Sequence, residues 1–472
     1  MCWTGLFGLA IVISAGIAEA HTSERAFILL LPTELYIIGG ALTVALSFVV
    51  MVLIPTRGLR AMEEARLRLF RMPGGDTAIS LLAAAFWAGL VAAGFFGSRD
   101  PLSNPLPMVV WTLWWVGLSF LHVVFGNLWA VVNPWTGIYR LLMGIPALKP
   151  WRRRPPLAYP AWAGHWPAVL LLIAFGWFEL IHPAPQDPDL LASVVGVYLV
   201  TVLVAMVLFG ADAWLGHAEP FTFFFRMVSW LSPFEVTGSA DDGGRRLSVR
   251  MPGMGLASID PLPLAATAFV ILVLATVSFD GLSRTFWYYG VIDANPLEPP
   301  GRTALMGVNS LGLCVAFLVL GSAYGATVYL GRLLAPAQRP LGQNLSLFVV
   351  SVVPIAFGYH FAHYLTALML DGQHAWKALS DPFARGWDLF GAADHYVTGA
   401  FLNDHHLVEM VWRFQVSAIV LAHIAAVIVS HFLALRDAPS MRAAVLGQTP
   451  LTVLMIGYTL FGLWLLSSPT AG

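Results

Sequence analysis

Two histidines three residues apart, His360 and His363, lie inside an apolar run in the stretch GYHFAHYLTALMLDGQHAW (Gly358 to Trp376). Residues at i and i+3 share one helix face, so both rings project the same way. Neutral imidazoles on one face suit a divalent metal such as Zn, Mn, Fe, Ni or Cu. Just past the run, segment 371–409 reads DGQHAWKALSDPFARGWDLFGAADHYVTGAFLNDHHLVEM. It offers His374, His395, Asp404, His405 and His406 as further candidate ligands. The neighbours Asp394-His395 and Asp404-His405-His406 set carboxylates beside imidazoles, and a second carboxylate can orient a ligand histidine. A segment of about forty residues is long for a connection and is more often functional than idle. The competing reading is a polar cap, with the HxxH pair bonded to carbonyls or tyrosine hydroxyls; the stronger HExxH zinc signature is absent.

The elements that must position these groups are membrane-spanning helices. The chain has 472 residues, 58% hydrophobic and 11% charged, with mean hydropathy +0.75. Soluble domains carry roughly 25% charged residues. Apolar segments of about 20 residues follow one another, which predicts an all-α, polytopic transmembrane bundle. Ten spans are expected, near 35–54, 78–96, 108–132, 162–181, 191–210, 262–279, 305–330, 346–370, 410–435 and 450–467. His360 and His363 then fall in the outer half of the eighth span. His363 lies about 10 Å below the end of that span at 1.5 Å per residue. Pro354 removes an amide donor nearby and is expected to bend the helix and open a cavity.

Charge gives the orientation. Of the 25 Lys and Arg, 18 fall in alternate connections, from the Arg57–Arg71 group to Arg436 and Arg442. Positive-inside places those connections in the cytoplasm and both ends of the mature chain outside, in a bacterial inner membrane. Residues 1–20 end in Ala-Glu-Ala and read as a signal peptide without a basic n-region; residues 21–472 read as one transmembrane domain. The stretch from Glu219 to Phe234 reads as a short interfacial helix, and GSADDGGRRLSVRMPG after it as a polar loop. Net charge −1 and the lack of a basic tract argue against nucleic acid as a partner; the lipid bilayer is one. Two cysteines make no disulfide framework, and no organic cofactor is indicated.

Other polar positions have plainer explanations. His122 is expected to hydrogen-bond between helices, and His423 and His431 share roughly one face of the ninth span. Asp280 and Arg284 are four apart and can pair, and Asp280 can also join the histidine cluster.

The stretches NPWTGIYRLL, FDGLSRTFWYY, YHFAHYLTALMLDGQ and LSDPFARGWDLFG together resemble the bacterial integral-membrane family labelled fenitrothion hydrolase. The resemblance runs from about Ala20 to the ninth span and covers Asn133, Pro134, Trp135, Asp280, His363, Asp381 and Trp387. It implies cleavage of an organophosphate triester with release of a nitrophenol. A metal-activated hydroxide attacking phosphorus is the mechanism to expect from it. Two alternatives stand beside that reading. One is a metal-ion or small-solute permease, since intramembrane histidines and broken helices also describe ion pathways. The other is a non-catalytic subunit that holds a second membrane subunit.

Overall fold

A computed structural model describes residues 32–54, 65–71, 76–237 and 246–471. The signal-like segment 1–20 lies outside the described residues. The chain is an all-α bundle, and among the described residues nine helices are long and apolar enough to cross a membrane. They are α1 (Thr33–Leu53), α2 (Asp76–Phe96), α3 (Pro105–Phe125), α5 (Pro188–Phe209), α7 (Leu264–Ser283), α8 (Arg302–Leu334), α9 (Leu341–Ser380), α10 (His405–Asp437) and α11 (Met441–Ser467). Helix α4 (Trp166–Leu180) occupies the expected fourth span with only 15 residues. That is about 22 Å, short of a hydrocarbon core of about 30 Å.

Burial separates centre from rim. In the apolar windows of α7 and α9, 78% of residues are buried, against 6% for α8. Helix α7 packs on α4, α8 and α9; α9 packs on α3 and α10; α1 and α8 lie against α11. The α9–α10 contact is close because Gly358 has no side chain there. A Cβ on it would stand 2.4 Å from the Ala422 Cβ, so a small residue is required.

Four expectations change. The third span does not run through to 132: α3 ends at Phe125, and Gly126 turns the chain at φ 88°. The Phe234 carbonyl approaches to 3.0 Å of where a Cβ would stand, so only glycine fits the turn. The eighth helix does not stop at 370 but continues to Ser380. The polarity change at Asp371 marks where the surroundings become polar, not where the helix ends; it ends before Pro382. Pro354 sits in the first α-helical turn after a 3-10 segment, Val349–Val352.

The stretch expected at the interface forms α6 (Pro220–Ser229), and it is buried. Phe221, Phe223, Phe224, Phe225, Met227 and Val228 all lie in the core, against α3, α4 and α9. Arg226 donates to the Gly216 carbonyl and Ser229 to the Arg226 carbonyl, and the apolar remainder of the helix belongs inside. Its buried cap, Glu219, is satisfied by the N–H groups of Phe221 (3.1 Å) and Thr222 (2.5 Å) and by the Tyr198 hydroxyl. Finally, part of the expected polar loop is a strand. An antiparallel sheet in the order β1-β3-β2 joins β1 (Arg66–Arg71), β2 (Phe234–Thr237) and β3 (Arg246–Arg250).

Candidate functional site: two carboxylates sharing a tyrosine

Glu179 and Asp280 sit in the last turns of α4 and α7. A helix C-terminus carries partial negative charge, so a carboxylate there is locally unfavourable. Cations compensate from the next stretch of chain. Arg284, the C-cap of α7, holds Asp280 Oδ1 through Nε (3.0 Å) and Nη2 (2.8 Å). Arg302, the first residue of α8, donates to the carbonyls of Glu179 (3.0 Å) and His182 (3.2 Å). It thereby satisfies the free carbonyls that end α4.

Helix α9 closes the site. His363 Nε2 lies 2.6 Å from Asp280 Oδ2. The Tyr364 hydroxyl lies 3.0 Å from Glu179 Oε1 and 3.2 Å from Asp280 Oδ2. A phenol has one hydrogen to donate. It can serve only one carboxylate at a time, so the second short contact is a hydrogen bond only when a carboxyl group carries a proton. Asp280 is 2% exposed, whereas the Arg284 side chain is 53% exposed. The cluster therefore has a dry inner member and an open rim.

His360 shares the helix face of His363 but turns to different company. Its Nε2 meets the Trp115 carbonyl at 3.3 Å, and its ring stands edge-on to the Trp115 ring at 5.1 Å. Trp115 lies in a π-helical stretch of α3, Met108–Gly117. Such wide turns recur at functional sites. His360 and Tyr364, one turn apart, have ring centroids 4.9 Å apart, so His360 backs the cluster without touching a carboxylate.

The other candidates lie elsewhere. His374 is part-exposed on the extended end of α9, not in a loop. His395 is exposed, and its carbonyl accepts from Lys377 at 3.4 Å. Asp404 caps α10 by accepting from the Leu407 N–H at 3.0 Å. His405 and His406 begin α10, exposed, with rings 5.8 Å apart. Among the described residues, no three His, Cys, Asp or Glu side chains gather in a group that could hold a metal ion.

Of the expected pairings, Asp280 with Arg284 and Asp280 with the histidine cluster both form. Glu179 and Tyr364 are functional candidates that the sequence reading passed over. An acid inside an otherwise apolar 15-residue helix is the signal that marks Glu179.

Of three further histidines, His122 and His423 bond to nearby backbone, and His431 bonds across to α11. His122 Nδ1 faces the Leu118 carbonyl at 2.7 Å, and its Nε2 accepts from the Trp129 N–H at 3.0 Å. The ring thus bridges the Gly126 break within one span instead of joining two helices. His423 bonds to the Ile419 carbonyl (2.8 Å) and His431 to Gln448 (2.7 Å).

No family model, curated protein or solved structure matches the chain.

Proposed function

We propose that the protein is a proton-coupled membrane permease for a small solute, with Glu179, Asp280, His363 and Tyr364 as its proton-binding site. One observation carries the reading: two carboxylates from different helices share a single phenol hydroxyl, while Arg284 pairs with only one of them. Ionisable groups at membrane depth are costly and are kept where charge must move. A proton on the cluster neutralises the surplus carboxylate. Its departure separates like charges and changes how tightly α9 is tied to α4 and α7. The positive-inside orientation puts this end of the bundle outside.

The test is proton movement in liposomes. The purified protein is reconstituted with a trapped pH dye, and candidate solutes, divalent cations among them, are added outside. A pH change that depends on one solute and is lost in Asp280→Asn supports the reading. Solute entry with no proton movement sinks it.

The Asp280–His363 pair favours a second reading, because a carboxylate that orients an imidazole is also general-base geometry. On that reading, which the family resemblance suggests, the same preparation would release nitrophenol from fenitrothion, and His363→Gln would stop it.

A further inference from the structure

The three-stranded sheet has one wholly apolar side. Directly paired residues of an antiparallel ladder project to the same side. Leu67, Val249 and Phe234 form one row, and Leu247 and Val236 form the next. The opposite side carries Arg66, Arg68, Arg71, Arg246, Arg250 and Glu235. Arg250 is turned inward, held by Glu235 at 2.9 Å and by the carbonyls of Ser232 and Trp230. Arg68, Arg71 and Arg246 are exposed. On the apolar side, Leu67 is 64% exposed and Val236 45% exposed. Left in water, such a face on an edge strand would invite aggregation.

The chain keeps this sheet close to the membrane. Strand β1 lies between α1 and α2, thirteen residues after Leu53 and five before Asp76. Strand β2 starts five residues after the buried helix α6, and the Phe234 carbonyl packs against Gly126 at the end of α3. The ends of three membrane-crossing helices thus fix the sheet at one end of the bundle.

We propose that the sheet is an interfacial anchor, with its apolar side in the acyl–headgroup boundary and Arg68, Arg71 and Arg246 binding the phosphates of anionic phospholipids. The amphipathic logic is that of an in-plane helix, carried by strands. The charge matches the anionic surface that attracts basic segments beside a span. Arginine suits it further, because its planar fork binds phosphate through paired hydrogen bonds.

The experiment uses the full chain in nanodiscs containing phosphatidylglycerol, with Cys2 and Cys314 replaced by serine. Spin labels are placed singly at Leu67→Cys, Val236→Cys and, on the opposite side, Arg246→Cys. Relaxation by oxygen, which partitions into lipid, is compared with relaxation by a water-soluble nickel chelate. The labels at 67 and 236 should be several-fold more accessible to oxygen, and the label at 246 should show the reverse preference. Exchanging phosphatidylglycerol for phosphatidylcholine should raise nickel access at 67. The proposal is overturned if 67 and 236 favour nickel, or if a second copy shields them from both reagents. It is overturned equally if the headgroup exchange changes nothing.

Discussion

Two polar clusters sit at opposite ends of α8, beside Arg302 and beside Arg332, about 45 Å apart along a helix rising 1.5 Å per residue. At the second, a single carboxylate, Asp437, is held on every side. Its Oδ1 accepts from Arg339 through the backbone N–H and Nη1, both at 3.2 Å. Its Oδ2 accepts from Asn344, which is bonded in turn by Arg332. The Asp437 carbonyl takes the Gln338 N–H at 3.1 Å. The cluster at Arg302 has two carboxylates: Arg284 and His363 hold Asp280, and Glu179 meets the Tyr364 hydroxyl that Asp280 also approaches. The difference lies in the balance of donors and acceptors. A closed network locks the ends of α8, α9 and α10 together, whereas on the proposed function the shared hydroxyl leaves room for a proton to arrive and leave.

That contrast can be broken by substitution. Asp437→Ala should cost the most stability, about 3 kcal/mol, because it leaves the buried Asn344 amide without its acceptor and unties the Arg339 pair. Denaturant unfolding in detergent would show it, and the protonation behaviour of the other cluster should be unchanged. Equal destabilisation by Asp280→Ala would erase the distinction. The expectation there is smaller, roughly 1.5–3 kcal/mol, since the exposed Arg284 can turn to water once its carboxylate is gone. Asp280→Asn should in addition abolish proton-coupled flux, which Asp437→Asn should leave intact when compared per folded protein.

Tyr364→Phe should affect the Arg302 cluster alone. It removes the shared hydrogen at a cost of about 1 kcal/mol. The infrared carbonyl band of a protonated carboxyl should shift in this variant and vanish in Glu179→Gln. An unchanged band in both would remove Glu179 from the proton site.

The smallest effect belongs to the loop after α9. Desolvation opposes ionisation of Asp381, but the N–H groups of Arg385, Gly386 and Trp387 outweigh it and hold the carboxyl below its ordinary range. A lowered carboxyl contributes order that is present above its unfolded pKa and is lost as pH falls through the folded value. Proteolysis of segment 381–391 should therefore rise in acid, and Asp381→Asn should show that cleavage at neutral pH.

Much of this molecule is legible from local pattern. Apolar length marked each spanning helix, because a helix in lipid must satisfy its own backbone, but it misplaced the ends of α3 and α9 and the start of α11, which lie at Phe125, Ser380 and Met441. The i, i+4 spacing announced the Asp280–Arg284 pair, and the i, i+3 spacing placed His360 and His363 on one face. Those readings depend on neighbours within one or two turns. What the two rings face was decided by tertiary structure alone. His363 meets Asp280 from 83 residues away, Tyr364 meets Glu179 from 185, and His360 meets Trp115 from 245. Chain periodicity carries no information about contacts at such separations. The same limit applied to α6, whose apolar surface suited an interface or a core equally until its neighbours enclosed it. It applied also to β1 and β3, which become strands by pairing across more than 170 residues.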